Sequence, residues 1–188
     1  MTNRFPPAVR LSGLGITLRE WTDADLATMP HLFDDAEVDR WTPLPSPFDE
    51  AAAHEYLVQA RIRRAEGHSL QLAITNDGHA TLGEILLFPT GPQGRDPNGT
   101  TAELAYAVGP QHRRQGLTSR AVRLITDYAY QQLAMDHVIL RIDPNNAAST
   151  AVARSTGFEP TGADPLTSDT EHPLWTWTFA ASSPSPGF

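Results

Sequence analysis

The sequence lacks cysteine altogether, and this absence removes several kinds of chemistry. Disulfide bonds, thiolate metal sites and a cysteine nucleophile are all excluded. Seven histidines are present, but they lie far apart and without the paired spacing of metal ligands. Surface or hydrogen-bonded histidine is the simpler interpretation of such a pattern, so we expect no metal centre.

Long hydrophobic runs are also lacking. A membrane helix needs roughly 18 consecutive apolar residues, whereas the apolar run at 85–88 is only as long as a strand. Residues 1–10 contain no apolar signal core, which a secretory signal would require. We therefore expect neither a membrane partner nor export, and we predict a cytoplasmic protein.

Basic residues are outnumbered, with 14 lysines and arginines against 22 aspartates and glutamates, and a formal net charge of −8. Nucleic-acid binding needs a basic face for the phosphates, so no nucleic-acid partner is expected. The acidic balance mildly favours a cationic substrate. The 188 residues, 40% of them hydrophobic and 19% charged, suffice for one soluble domain with a single core.

Hydrophobic periodicity predicts an α/β layer fold with elements in the order β-α-α-β-β-β-α-β-α-β-β. Strands are expected at 16–20, 69–75, 81–88, 101–108, 137–142, 158–161 and 174–179, and helices at 23–33, 47–66, 116–133 and 147–155. This order mixes antiparallel hairpins with one crossover through a long amphipathic helix.

Turn-forming residues set the predicted boundaries. Thr22 and Asp25 have the spacing of a capping box, and Ser46 is expected to cap the second helix, with Pro47 at its first position. The segment 89–99 is rich in proline and glycine and is predicted to be an exposed loop. We expect an N-terminal arm at 1–15, one domain at 16–180 and a disordered tail at 181–188.

One segment has the features of an anion site. A Gly-Pro pair ends the preceding strand, so the strand can bend away from its neighbour, and a helix begins at Gly116. The first N–H groups of a helix are unpaired and bind phosphate-like anions. Gly116 permits close approach of the backbone, and Arg113 and Arg114 supply positive charge. The sequence thus predicts a pyrophosphate cradle over 111–119, and no P-loop or dinucleotide fingerprint competes with it.

Three separated motifs point to one family. Residues 113–118 are Arg-Arg-Gln-Gly-Leu-Thr, residues 146–158 contain Asn-x-x-Ser followed by Gly-Phe, and residues 18–25 are Leu-Arg-Glu-Trp-Thr-Asp-Ala-Asp. The first resembles the coenzyme A signature Q/R-x-x-G-x-G/A of the GCN5-related N-acetyltransferase (GNAT) family. The other two resemble elements of the branch of that family that acetylates ribosomal-protein N-termini.

The resemblance implies a splayed, mixed and mostly antiparallel sheet flanked by helices, with acetyl-coenzyme A (acetyl-CoA) as co-substrate. The pantetheine arm would pair near Ala107 and Val108, with Asn146 holding its amide and Ser149 near the sulfur. Helix capping is the alternative role for Asn146 and Ser149. The pyrophosphate would lie on Arg113, Arg114, Gln115, Gly116, Leu117, Thr118 and Ser119.

Thr118 occupies the last small position of the signature, and two further positions depart from the family pattern. Ala153 stands where many relatives have a tyrosine that serves the leaving thiolate, which leaves Ser149 as the hydroxyl expected to donate to sulfur. Arg120 stands where the ribosomal branch usually has glutamate. The second departure weakens any inference that this chain shares that branch's acceptor.

The implied reaction is transfer of acetyl to an amine by direct attack in a ternary complex. The amine must be neutral to attack, so a cationic acceptor needs a base. Glu103 and Glu84 lie in otherwise apolar strands and are the candidate carboxylates, with Glu103 as first choice. Either side chain could instead face solvent at an alternating strand position.

Other functions stay open at this level. The acceptor could be a small amine, such as an aminoglycoside, a polyamine or an amino acid, in place of a protein N-terminus. The chain could be a non-catalytic CoA-binding sensor, which would be favoured if Glu84 and Glu103 faced solvent, or a scaffold without a cofactor. The oligomeric state is also open, and a homodimer is possible, because tryptophans can lie in the core or at an interface. We expect the four tryptophans to lie in the core; they are Trp21, Trp41, Trp175 and Trp177.

Overall fold

The computed structural model describes residues 4–91, 94–96, 98–167 and 173–179. Its strands are β1 (Arg10–Gly13), β2 (Ile16–Glu20), β3 (Leu70–Thr75), β4 (Thr81–Gly91), β5 (Gly94–Arg95), β6 (Thr101–Val108), β7 (His137–Ile142), β8 (Phe158–Pro160), β9 (Leu166–Thr167) and β10 (Pro173–Phe179). Its helices are α1 (Met29–Phe33), α2 (Ala36–Trp41), α3 (Glu50–Ala65), α4 (Leu117–Gln131) and α5 (Ala147–Ser155), with 3₁₀ turns at Asp23–Asp25 and Pro110–His112.

The strands form one mixed sheet in the order β1-β2-β3-β4-β6-β7-β10-β8, with β5 paired to β4 and β9 to β10. Among the described residues, β6 and β7 are the one parallel pair, and the others are antiparallel. A parallel pair needs a long crossover connection, and α4 supplies it here. The predicted α/β fold with a mixed, mostly antiparallel sheet flanked by helices is confirmed.

Alternation along the strands divides the buried residues between two faces of the sheet. On one face Leu72 and Ile85 pack with Ile125 of α4 in the larger core cluster. On the other face Ala73 and Ala107 lie in a second cluster with residues of α1 and α3. Because neighbouring strand residues point to opposite faces, these two alanines leave room for large side chains, which are Trp21, Met29, Leu32, Phe33, Phe48 and Leu57.

The strands β6 and β7 separate part-way along their length. Their pairing ends at Leu104 opposite Leu140, although β6 continues to Val108 and β7 to Ile142. The backbone groups in these last residues therefore do not pair across the β6–β7 boundary in the described register. The sheet opens into a gap at this edge, as the family resemblance implied.

The helix predicted at 23–33 is broken. The capping box forms, with Asp25 accepting the backbone N–H of Thr22 at 2.8 Å, but a single 3₁₀ turn follows it. Pro30 lies at the start of α1, where it lacks the N–H that a continuous helix would use. The short helix α2 was not predicted, and Asp35 caps it by accepting from two backbone N–H groups.

The start of α3 also differs from the prediction. Asp49 caps this helix by accepting the N–H of Ala52 at 2.9 Å, so the expectation that Ser46 is the cap was wrong. Phe48 is fully buried in the second cluster, and its N–H donates to Asp34 at 3.0 Å. The chain at Phe48 is thereby held in place before the helix begins.

The segment 89–99 was predicted to be a loop, but it contains the end of β4 and the strand β5. Pro89 lies inside β4 opposite Ala102, because its fixed φ suits an extended strand. Its carbonyl accepts the N–H of Asp96 at 3.2 Å. Positions 92, 93 and 97 of this segment lie outside the described residues.

The strand β1 lies within the segment 1–15, which was expected to be an arm, and pairs antiparallel with β2. In the turn between them Leu14 and Gly15 have positive φ, a conformation that the sequence does not predict for Leu14. The tail predicted at 181–188 lies outside the described residues. Within the described ranges, no helix combines the length and the apolar character needed to cross a membrane.

Candidate active site

The start of α4 is open and has the geometry expected of the predicted anion cradle. Gly116 precedes the helix with φ of +69°, and Arg114 also has a positive φ, of 61°. A Cβ on Gly116 would meet no described atom within 4 Å, so glycine is needed here for its backbone conformation and not for space. No side chain caps this helix start within the described structure, and its first turn has no acidic residue. The N–H groups of that turn are therefore available to an anion.

The two arginines of the cradle have different surroundings. Arg113 donates from Nε to the carbonyl of Val108 at 3.2 Å and forms an ion pair with Asp35, the residue that caps α2. Its guanidinium thus ties the end of β6 to the helices on the opposite face of the sheet. Arg114 is exposed, so it is the arginine of this pair that the structure presents to solvent.

Arg120 braces the cradle from within α4. Its guanidinium donates to the carbonyls of Gly116 at 3.3 Å, Gln115 at 3.1 Å and Leu14 at 3.2 Å. These contacts join the turn between β1 and β2 to the start of α4. Of the other residues predicted to line the cradle, Leu117 is buried in the core, Thr118 and Ser119 are half-buried, and Gln111 and Gln115 are exposed.

Asn146 and Ser149 lie at the start of α5, beside the gap. The side chain of Asn146 accepts the N–H of Ser149 at 3.0 Å, so Asn146 caps the helix as the alternative interpretation held. Tyr106, on β6, donates to the carbonyl of Ser149 at 3.5 Å and so spans the gap from β6 to α5. Burial raises the pKa of Tyr106 to about 12, which keeps the phenol protonated at neutral pH.

Ala107 and Val108 form the β6 side of the gap, and they face Glu84 and Gly83 on β4. A Cβ on Gly83 would lie 2.5 Å from the carbonyl oxygen of Ala107 and 2.9 Å from the Cα of Val108. Only glycine therefore fits at this position, because the two strands approach closely here. This approach brings the carboxylate of Glu84 level with Ala107 on the face covered by α1 and α3.

Glu84 is 3% exposed, and its carboxylate is held by a tyrosine. The hydroxyl of Tyr56, on α3, donates to Oε2 at 2.7 Å and to Oε1 at 2.9 Å. Gln71, on β3, donates from Nε2 to the oxygen of Tyr56 at 2.7 Å. Burial raises the pKa of Glu84 to about 7, while the Tyr56 hydrogen bond acts in the opposite direction.

Glu103, the first-choice base, lies away from the gap between β6 and β7. It is opposite Ile139 of β7, in the closed part of the sheet, and forms an ion pair with Arg141 at 2.7 Å. Glu103 precedes Val108 by five residues, which is roughly 16 Å along an extended strand. The structure thus groups Glu84 with Ala107 and Val108 and keeps Glu103 apart from them.

Sequence reasoning missed three residues at this site, Tyr56, Gln71 and Tyr106. Nothing local in the sequence marks Tyr56, a residue of α3, as a partner of a carboxylate. A signal did exist for Gln71, because a glutamine in an apolar strand facing another apolar strand that carries Glu84 indicates a buried polar contact. Tyr106 lies on the apolar face of β6 and looks like an ordinary core residue.

Residues 16–159 match the family model described as the acetyltransferase (GNAT) domain. The chain belongs to the GNAT acetyltransferase family. This GNAT protein is accordingly an acyltransferase, and the cradle at 111–119 and the gap between β6 and β7 both lie within the matched region.

Several proteins resemble this GNAT enzyme over most of its length. The "Uncharacterized N-acetyltransferase p20" of Bacillus licheniformis is 22% identical over 151 residues, which are 78% of this chain and 80% of that protein. The structure of Mycobacterium smegmatis RimJ in complex with CoA-disulfide has a TM-score of 0.77 at 18% identity, covering 95% of this chain and 90% of that one. The ribosomal-protein-S5-alanine acetyltransferase of Vibrio fischeri has a TM-score of 0.70 at 17% identity, covering 89% and 95%.

Proposed function

We propose that this GNAT enzyme transfers the acetyl group of acetyl-CoA to a primary amine, on a protein N-terminus or on a small molecule. The observation that carries the proposal is the gap between β6 and β7. The uncapped start of α4 lies at one side of this gap. The buried carboxylate of Glu84 lies level with Ala107 beside it. An anion site for the donor and a base for the acceptor thus meet at one opening.

The residues of the gap fit a CoA-type donor. The N–H groups at the start of α4 and the exposed Arg114 would hold the pyrophosphate. The backbone of Ala107 and Val108 does not pair with β7 and would pair with the amides of the pantetheine arm, with the Val108 carbonyl also accepting from Arg113. Bound acetyl-CoA supplies the acetyl group as an activated thioester.

Glu84 is our proposed base, in preference to Glu103. A pKa of about 7 leaves much of the carboxyl ionised at neutral pH, and it can take a proton from an ammonium group, directly or through water. The neutral amine can then attack. Glu103 is less suited because Arg141 neutralises it in the closed part of the sheet.

The acetyl group need not be carried by the protein. The chain has no cysteine to act as nucleophile, so we place donor and acceptor together in a ternary complex, with direct attack by the amine. The hydroxyl of Ser149 remains the predicted proton donor to the leaving thiolate, and the hydroxyl of Tyr106 donates to the backbone carbonyl of Ser149.

A non-catalytic CoA sensor is disfavoured. Solvent-facing strand carboxylates would have favoured that interpretation, whereas Glu84 is 3% and Glu103 is 9% exposed. The similarity to the ribosomal-protein-S5-alanine acetyltransferase of Vibrio fischeri supports protein N-termini as the first acceptors to test. Arg120, where that branch usually has glutamate, keeps small amines in the comparison. The cytoplasmic location stays a prediction.

The test is a panel of acceptors read by release of free CoA thiol. The panel should contain N-terminal peptides of ribosomal proteins, aminoglycosides, polyamines and amino acids, each with and without acetyl-CoA. We expect at least one primary amine to stimulate thiol release, and its N-acetylated form to give no stimulation. Binding of acetyl-CoA with no release across the panel would contradict the proposal and favour the sensor interpretation.

A further inference from the structure

The hydrogen bonds that end on Glu84 have a fixed direction. The amide nitrogen of Gln71 can only donate, and an ionised carboxylate can only accept. Because Gln71 Nε2 donates to the oxygen of Tyr56 at 2.7 Å, the single proton of the phenol is left to point at Glu84. Gln71 therefore makes Tyr56 a one-way donor to the carboxylate.

We propose that Tyr56 and Gln71 are positioning residues that fix the orientation of the Glu84 carboxylate and its readiness to accept a proton. This inference rests on the proposed function, in which Glu84 is the base. It adds two residues from separate elements, one on α3 and one on β3, whose contribution passes through Glu84.

Packing holds the phenol in place. The Tyr56 ring lies 5.9 Å from the ring of Phe48 and 6.4 Å from that of Phe33. Phe48 is fully buried and Phe33 is 2% exposed. In such a close-packed aromatic group, the ring has little freedom to rotate away. The hydroxyl is therefore already in position to donate to Glu84 before substrate binds.

Within the described structure, no charged residue faces Glu84 from the neighbouring strands, so the hydrogen bond from Tyr56 has a large effect on the pKa of Glu84. The residues across from Glu84 on the neighbouring strands are Ala73 of β3 and Ala107 of β6, neither of which carries charge. From α3, Arg63 acts electrostatically on Tyr56. The next carboxylate on β6, Glu103, is neutralised by Arg141.

Burial therefore pushes the pKa of Glu84 up, and the Tyr56 hydrogen bond opposes this by stabilising the ionised form. Without the hydroxyl, the pKa of Glu84 should rise further. The enzyme would then need a higher pH to present an ionised base.

The test compares Tyr56→Phe with Tyr128→Phe. Both variants remove one buried phenol oxygen and keep the ring, but Tyr128 lies on α4 at the other face of the sheet and its hydroxyl has no partner among the described residues. In Tyr56→Phe the acidic limb of the kcat/KM profile should move up by about one pH unit, with about tenfold loss on that limb and recovery at high pH. Tyr128→Phe should keep the wild-type profile.

A second measurement does not depend on activity. The carboxyl carbon of Glu84 can be followed by NMR in protein labelled with [5-13C]glutamate, with Glu84→Gln used to assign the signal. Its pKa should rise in Tyr56→Phe and, by less, in Gln71→Met, which keeps the side-chain length but cannot donate to Tyr56. If Tyr56→Phe folds poorly, Gln71→Met still gives the test.

The outcomes distinguish the positioning roles of Tyr56 and Gln71 from the role of Glu84 as base. An unchanged Glu84 pKa in both Tyr56→Phe and Gln71→Met would overturn the positioning roles, even if the enzyme is active. A raised pKa together with full activity of Glu84→Gln would support the hydrogen-bond chain and overturn the choice of Glu84 as base. A uniform loss of activity in Tyr56→Phe at every pH, with the Glu84 pKa unmoved, would show a merely structural role.

Discussion

The two halves of the candidate site are built in opposite ways. The cradle at 111–119 is one continuous segment, exposed or half-buried except at Leu117, and in our proposal its backbone N–H groups and conformation bind the donor. The Glu84 pocket is assembled from side chains of α3, β3 and β4. Glu84 and Gln71 are buried, and Tyr56 is half-buried. A backbone site for a shared donor can tolerate many sequences around it. A side-chain site for a base depends on each partner and on the exclusion of water.

The same contrast extends to the charges. The arginines near the cradle either remain exposed, as Arg114 does, or bind carbonyl oxygens and a carboxylate at the surface, as Arg120 and Arg113 do. At Glu84 a single charge is stabilised by one neutral hydroxyl in an apolar setting. We therefore expect changes at the cradle to act mainly on affinity for acetyl-CoA, and changes at Glu84 to act on turnover and on pH dependence.

Removal of the base should have the largest effect. Glu84→Gln keeps the shape and the hydrogen bond to Tyr56 but cannot accept a proton, so kcat should fall by about 10² to 10³, with the affinity for acetyl-CoA unchanged. Glu103→Gln is the matched control and should lose far less. Steady-state kinetics with an accepted amine, together with calorimetric titration of acetyl-CoA, would measure both quantities. A larger loss in Glu103→Gln than in Glu84→Gln would return the role of base to Glu103.

This contrast explains why the sequence predicted one half of the site better than the other. The elements at 137–142 and 147–155 were predicted with the bounds that the structure has, because each has a clear periodicity and a turn-forming boundary. The start of the long helix could be located because its glycine, the arginines before it and the helix itself are contiguous, and anion binding there stays a prediction. Both signals are local.

The missed features depend on contacts between distant residues. Glu84 and Glu103 look alike in sequence, each a single acid in an apolar strand. What separates them is that α3 brings Tyr56 over the first, whereas β7 brings Arg141 beside the second. The break after Asp25 and the extra helix α2 were missed for a different reason, because the local signals of Pro30 and of Asp35 as a helix cap were not used.

The pH dependence of stability should show the next largest effect. The pKa of Glu84 in the folded protein is about 7, above the ordinary value of 4.5. Below pH 4.5 both states are protonated and the group contributes nothing. Between these values the unfolded chain loses its proton first, so folding stability falls as pH rises, by up to about 3 kcal/mol once both states are ionised.

Glu84→Gln removes that penalty, so its stability relative to wild type should increase from pH 5 to pH 8. Urea unfolding of both proteins at the two pH values gives the difference, in which the other titrating groups cancel. A difference that does not change with pH would mean that the pKa of Glu84 is not raised. The carboxylate would then be solvated, as the groups of the exposed cradle are.

Replacing Gly116, which has a left-handed backbone conformation, should weaken the binding of acetyl-CoA about tenfold. Gly116→Ala strains the backbone at φ of +69° by roughly 1 kcal/mol and should shift the first N–H groups of α4. Gly162→Ala is the control, because Gly162 has φ of +71° and equally open surroundings but lies far along the chain from the cradle. Both variants should lose similar stability in thermal unfolding, and only Gly116→Ala should weaken acetyl-CoA in calorimetry. Equal affinities for the two variants would argue that the conformation of Gly116 does not shape the anion site.

The smallest expected effects separate Arg114 from Arg113. Arg114→Asn removes an exposed charge and keeps a side chain that tolerates positive φ, so acetyl-CoA should bind about fivefold more weakly and with less dependence on salt. Arg113→Met breaks the contacts with Val108 and Asp35 and should cost about 1 kcal/mol of folding stability, because both partners are partly exposed. Titration of acetyl-CoA at two salt concentrations, with urea unfolding of each variant, distinguishes these roles. If Arg113→Met weakens acetyl-CoA more than Arg114→Asn does, then Arg113 leaves Asp35 when the donor binds, and the cradle is coupled directly to α2.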